Sequence, residues 1–160
     1  MSTKSLSHID SNGQATMVDV SDKAVTHRVA IAQSIVSLPA EVLVQLVNGD
    51  LLTNKGSVFQ TAIIAGIMAA KKTGELIPLC HPLGLDNCNI TIKLNDENEA
   101  IISCKASITA KTGVEMEALV GASLAALTIY DMCKALSHDI VIKETKLIEK
   151  TGGKHDFRRA

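Results

Sequence analysis

Asn89-Ile90-Thr91-Ile92-Lys93-Leu94, Asn95-Asp96-Glu97-Asn98 and Ala100-Ile101-Ile102-Ser103-Cys104-Lys105-Ala106-Ser107-Ile108-Thr109 decide the fold class of this chain. Both apolar runs alternate and are rich in β-branched residues, and the four polar residues between them favour a tight turn. The stretch therefore reads as an antiparallel hairpin. Downstream, Gly113 to Ala135 predicts a long helix, and Ile140 to Ile148 alternates again as a closing strand before Gly152-Gly153. Upstream, Gly56 to Lys72 has helix-forming composition, and Gly74 sits where a left-handed C-terminal cap belongs. Before it, Pro39 to Val47 predicts a short helix with Pro in its first turn and Asn48-Gly49 ending it. From Val25 to Leu38 the residues Val25, Val29, Ile31 and Ile35 predict a long strand.

The resulting order, β-(α)α-β-β-α-β, is an α+β, ferredoxin-like arrangement. A four-stranded antiparallel sheet carries two long helices on one face, plus the short extra helix. Residues 1–15, rich in Ser, Asn and Gly, read as a flexible N-terminal arm, and 16–160 as a single domain. Because the Gly113 to Ala135 helix is apolar around most of its circumference, one sheet cannot satisfy it, and a homo-oligomer is expected.

Composition narrows the function. The 160 residues carry 16 basic and 17 acidic side chains, so no overall field attracts nucleic acid or an anionic membrane. With aromatics at 2% and no Trp, stacking platforms for bases are also absent. Cys80, Cys88, Cys104 and Cys133 show no C-x-x-C spacing, and no signal or transit peptide is visible in the first forty residues, so a reducing cytoplasm is expected. The longest apolar run, Ala118 to Tyr130, falls short of the roughly 20 residues of a membrane span.

Two segments place ionisable groups among apolar ones, where they must be paired, ligand-bound or shifted in pKa. In Leu76-Ile77-Pro78-Leu79-Cys80-His81-Pro82-Leu83, the prolines set a loop and Pro82 pushes His81 toward extended geometry. His81 there suits phosphate binding or proton transfer; Cys80 and His81 could ligate a metal, but no further ligand motif completes a tetrahedral set, and Cys80 alone reads as a small buried hydrophobe. In Lys111-Thr112-Gly113-Val114-Glu115-Met116-Glu117-Ala118-Leu119, Thr112 and Glu115 have the spacing of a capping box. Glu117 lies near the positive end of the helix dipole, which stabilises its carboxylate, and that carboxylate can hold a guanidine-like or amine group of a ligand.

Asp131 and Lys134, three residues apart, project from one face at the end of the same helix. The apolar neighbours Ile129, Met132 and Cys133 favour a neutral lysine able to act as base or acid, against the bland reading of a surface ion pair. Glu117 and Asp131 are separated by roughly 21 Å along the axis, so if both serve one site the ligand is long, the helix is bent, or a second subunit supplies one of them. Arg28, Lys55-Gly56 and Lys150-Thr151-Gly152-Gly153-Lys154 add basic groups beside glycines, and from Lys143 to Arg159 six basic residues outnumber three acidic ones. Together they suit a polyphosphate, although no P-loop is present.

The Met17-Val18-Asp19-Val20, Lys55-Gly56, Leu76–Leu83 and Thr112–Leu119 segments, followed by Ala126-Leu127-Thr128-Ile129-Tyr130-Asp131-Met132-Cys133-Lys134-Ala135, together resemble the cyclic pyranopterin monophosphate synthases, the family of molybdenum cofactor biosynthesis protein C. The resemblance spans nearly the whole chain. It implies a hexamer built as a trimer of dimers with sites at subunit interfaces. The substrate would be the cyclised dihydro derivative of GTP, rearranged to cyclic pyranopterin monophosphate with release of pyrophosphate. That is a lyase-type, non-redox reaction with no cofactor, although Mg²⁺ could accompany the substrate triphosphate. Carried over by position, Asp131, Lys134 and Lys55 would be catalytic. Leu79, Cys80, His81, Met116 and Glu117 would line the substrate pocket with Glu115 supporting, and Arg28 and Lys150 would meet the triphosphate. The chain departs from the family pattern at Ser57, where an acidic residue is usual, and in Gly152-Gly153-Lys154-His155-Asp156, which lacks a further Ser-Gly before the Asp. A competing class is a non-catalytic nucleotide sensor, which would keep binding and lose no chemistry on Lys134→Ala. A Cys80/His81 metal hydrolase is a third, and it would purify with stoichiometric metal.

Overall fold

A computed structural model describes residues 8–160; the first part of the expected arm lies outside the described residues. Twelve elements follow in order: β1 (Thr26–Ser37), α1 (Ala40–Leu43), β2 (Leu46–Val47), β3 (Asp50–Thr53), β4 (Gly56–Ser57), α2 (Val58–Ala70), α3 (Thr73–Leu76), β5 (Asn87–Leu94), β6 (Glu99–Ala110), α4 (Glu115–Cys133), β7 (Val141–Thr151) and β8 (Phe157–Arg158). The main sheet is antiparallel in the order β5-β6-β1-β7-β8, and β2-β3-β4 form a small second sheet.

The expected hairpin is β5-β6, paired from Asn87↔Ser107 to Leu94↔Ala100. Asn98 takes φ 62, a conformation its short polar side chain tolerates, and Asn95 accepts from the Glu97 and Glu99 amides through its side chain. The sheet has five strands where four were expected. Phe157–Arg158 pairs with Lys150 and Glu149, and a two-residue strand is too short for its alternation to be read.

Burial sorts the sheet into two faces. On β1, Ala30, Ala32, Ser34 and Val36 are buried, whereas Val29, Ile31 and Ile35, part of the apolar stripe that marked this strand, lie on the opposite, half-covered face. The helix-facing side chains are small, and so are Ala118, Ala122, Ala125 and Ala126 on α4. Small residues on both surfaces let α4 sit close to the sheet, so a chain poor in aromatics still packs a continuous core. Helices α2 and α4 meet at two glycines: a Cβ on Gly66 would lie 2.6 Å from Gly121 O and 2.5 Å from Ile90 Cδ1. By length and composition α4 could cross a membrane, but more than half of it is buried within the fold.

Three local expectations are corrected. The short helix stops at Leu43, because Asn48 (φ 50) and Gly49 (φ 82) make the two-residue turn of the β2-β3 hairpin instead of ending a helix. Gly74 is not a left-handed cap but lies inside α3, where a Cβ would come within 2.9 Å of Pro82 Cα. No Thr112 cap forms at α4. Val114 is the N-cap without a side-chain bond, and Glu115 instead pairs with Lys150 at 3.0 Å.

Candidate active site

Gly74 lets the Leu79-Cys80-His81-Pro82 loop fold back on α3, which brings it beside the first turn of α4. Between them lies a cavity of about 350 Å³ lined by Leu79, Cys80, His81, Glu115, Met116 and Glu117, the expected substrate residues, with Val18, Val20 and Lys23 closing it. His81 Nε2 is 2.9 Å from Val18 O, which only accepts, so Nε2 is the donor there and Nδ1 is the ring nitrogen left without this bond. Glu117 is 3% exposed. Burial pushes its carboxyl up to about 7, with its own backbone amide opposing and Glu115 adding to the rise. Desolvation thus outweighs the dipole stabilisation that the helix N-terminus suggested. The Cys80 thiol is also raised, by burial first and by Glu117 second.

A second cavity of about 380 Å³ adjoins the first, and the two share Lys23, Thr112, Gly113 and Glu115. Its lining includes Arg28, Lys111, Lys150, Lys154 and His155. Arg28 Nε donates to Ala110 O at 3.1 Å, which ties the guanidinium to the last residue of β6. At Gly152 the chain takes φ 81 and passes so close to β1 that a Cβ would stand 1.9 Å from His27 O. The Gly152 amide donates to Asp156 at 3.1 Å, so this shorter tail closes its own turn. Side by side, the two cavities make up a groove in two compartments, one holding the buried Glu117 carboxyl and the His81 imidazole and the other a set of cations.

Lys55, Asp131 and Lys134 form a separate cluster. Lys55 sits on the β3-β4 turn, which Asp50 holds by accepting from Ser57 Oγ and, at 2.8 Å, from the Phe59 amide. Ser57 also accepts from the Gln60 amide and caps α2. Lys134 Nζ is 2.6 Å from Asp131 Oδ1 and Lys55 Nζ is 3.7 Å from Oδ2. All three side chains are half-exposed or more, at 50–58%. The Lys134 hydrogen bond, then the charges of Lys134 and Lys55, hold the Asp131 carboxyl below its usual range. Asp131 in turn raises Lys134. The neutral lysine expected from the apolar neighbours does not occur, because Ile129, Met132 and Cys133 point into the core while Lys134 points out. The cluster offers two fixed positive charges about one carboxylate.

One chain does not unite these parts. Glu117 opens α4 and Asp131 closes it, about 21 Å apart along the axis. Among the described residues, no three His, Cys, Asp or Glu side chains gather as a metal site, so Cys80 and His81 stand without further ligands. Val18, Val20 and Lys23 were missed as lining residues: Met17-Val18-Asp19-Val20 entered only as one of the segments that carry the family resemblance, and the segment forms no strand or helix whose pattern could be read.

Comparison with known proteins identifies the family. The chain is 56% identical to a cyclic pyranopterin monophosphate synthase of Xanthomonas axonopodis pv. citri, over 97% of this chain and 94% of that protein. It is 54% identical to one of Xanthomonas campestris pv. campestris (strain B100), with the same coverage. It is also 51% identical to molybdenum cofactor biosynthesis protein 1 of Dictyostelium discoideum, over 92% of this chain but 26% of that longer protein. Residues 17–153 match the MoaC family, from the segment over the first cavity to the Gly152-Gly153 turn beside the second, and the chain belongs to that family.

Proposed function

We propose that the protein acts in molybdenum cofactor biosynthesis as a cyclic pyranopterin monophosphate synthase, converting the cyclised dihydro derivative of GTP with loss of pyrophosphate. The observation that carries this reading is the adjacency of the two cavities, which share four lining residues. A guanine-type edge presents adjacent N–H donors, and a carboxylate such as Glu117, poised near neutrality, is their natural acceptor. From that pocket the groove leads directly to Arg28, Lys150 and their neighbours, where a triphosphate would lie. The substrate's two chemically distinct ends thus meet complementary walls.

The Asp131 cluster would supply proton transfer and charge stabilisation. Raised and paired, Lys134 is an acid and an electrostatic stabiliser for developing oxyanion or pyrophosphate charge, while Asp131 orients it and Lys55 adds a second cation. Since Asp131 and Glu117 lie at opposite ends of α4, a neighbouring copy would deliver the cluster to the groove, in a hexamer assembled from dimers. Exposed Ile64 and Met68 on α2 and Leu127 on α4 give such an interface apolar surface. The four long strands, in the order β5-β6-β1-β7 with α2 and α4 as the crossovers, support a ferredoxin-like reading to which β8 is appended.

The test is incubation of purified protein with the cyclised dihydro-GTP intermediate, following pyrophosphate and the oxidised fluorescent pterin. Turnover by wild type, with binding retained and turnover lost in Lys134→Ala, is expected. Binding without turnover by wild type would replace the synthase with a nucleotide sensor.

A further inference from the structure

Residues 16–24 form no strand or helix, yet they are held in place. Within the segment, Ser21 donates to Asp19 through both its amide at 2.8 Å and its hydroxyl at 2.6 Å, and the Lys23 amide donates to Val20 O at 3.0 Å. Two side chains of the body then reach it. His81 Nε2 meets Val18 O at 2.9 Å, and Lys111 Nζ donates to Ser21 O at 2.6 Å. Between these two pins the segment turns Val18 and Val20 into the His81–Glu117 cavity, and Lys23 follows at the seam, where it lines both cavities.

Lys111 lines the basic cavity, so its obvious reading is one more phosphate ligand. Its ammonium is nevertheless placed on a backbone carbonyl of the segment. A hydrogen bond from a charged donor is stronger than a neutral one, and it holds a piece of chain that has no ladder or helix of its own to hold it. We propose that residues 17–23 are a strap forming one wall of the groove, and that Lys111 is a positioning residue that pins the strap so that Lys23 stands at the seam to bind the phosphate nearest the ring. This rests on the polyphosphate substrate proposed above. It assigns His81 a second task, since Nε2 holds the strap and only Nδ1 faces a ligand.

The strap is read by hydrogen exchange and the anion end by binding of inorganic tripolyphosphate, neither of which depends on turnover. With Lys111→Met, exchange at the Lys23 amide and across 17–23 accelerates about tenfold or more, and tripolyphosphate binding weakens about tenfold. Lys111→Arg, which can donate to the same carbonyl and preserves the charge, restores both. Lys23→Met weakens tripolyphosphate while leaving strap exchange as in wild type. Unchanged exchange in Lys111→Met overturns the proposal, and if tripolyphosphate binding is lost all the same, Lys111 is a direct phosphate ligand. Should the strap readouts hold while wild type fails to turn over the cyclised dihydro-GTP, the strap stands and the synthase reading falls.

Discussion

Asp131 carries more of the proposed chemistry than its exposure suggests, because both lysines of the cluster are arranged around it. Asp131→Asn removes the charge that orients Lys134, so turnover is expected to fall about 100-fold or more with the fold intact, and Lys134 should titrate closer to its ordinary value. A steady-state assay and a lysine NMR titration check both. Glu117 makes the opposite case, a carboxyl dominated by burial. It keeps its proton in the native state to about pH 7 against 4.5 for an unperturbed group. Between those values the native state binds more protons than the unfolded one, so stability falls as pH rises, by up to about 3 kcal/mol, and levels off above the native pKa. Glu117→Gln abolishes that slope. Its Tm should therefore gain on wild type between pH 4.5 and 7.5, and parallel curves would show that Glu117 titrates normally.

At the scale of elements, the α2–α4 contact governs the site, because α4 carries Glu117 at one end and Asp131 at the other. Gly66→Ala forces a methyl group against the Gly121 carbonyl and Ile90, neither free to withdraw from a packed core. A loss of about 1–3 kcal/mol is expected in urea titrations, with the slope against denaturant unchanged. The hairpin β5-β6 and both long helices were legible because their patterns are long and local. Asn48-Gly49 was misread because the same pair serves a helix end or a hairpin turn, and only the pairing of Leu46-Val47 with Asp50-Leu51 distinguishes them. Likewise the Thr112/Glu115 spacing fits a cap, and what diverts Glu115 is Lys150, a residue 35 positions away.

For the whole molecule, the separation of the groove from the lysine cluster is the central fact. If the site is completed between subunits, Glu117→Gln and Lys134→Ala proteins are each inactive. After the two are mixed and their subunits exchanged, about a quarter of the wild-type rate should return, the share of sites that draw both intact residues when copies combine at random. No recovery would place all the chemistry within one chain and overturn the shared-site reading. The same measurement on separately purified, unmixed variants provides the baseline.

Residue types and short-range periodicity determined the two long helices, the hairpin and the proline-bracketed loop at His81, because each depends on neighbours within one turn or one strand. Tertiary structure alone decided which face of β1 is the core face, that Glu117 is desolvated enough to hold a proton near neutrality, and that Lys134 turns outward and stays charged. It also brought Val18, Val20 and Lys23 onto the groove. Burial, and long-range pairs such as Glu115–Lys150 and Lys55–Asp131, depend on what distant segments bring into contact, and no local pattern encodes that.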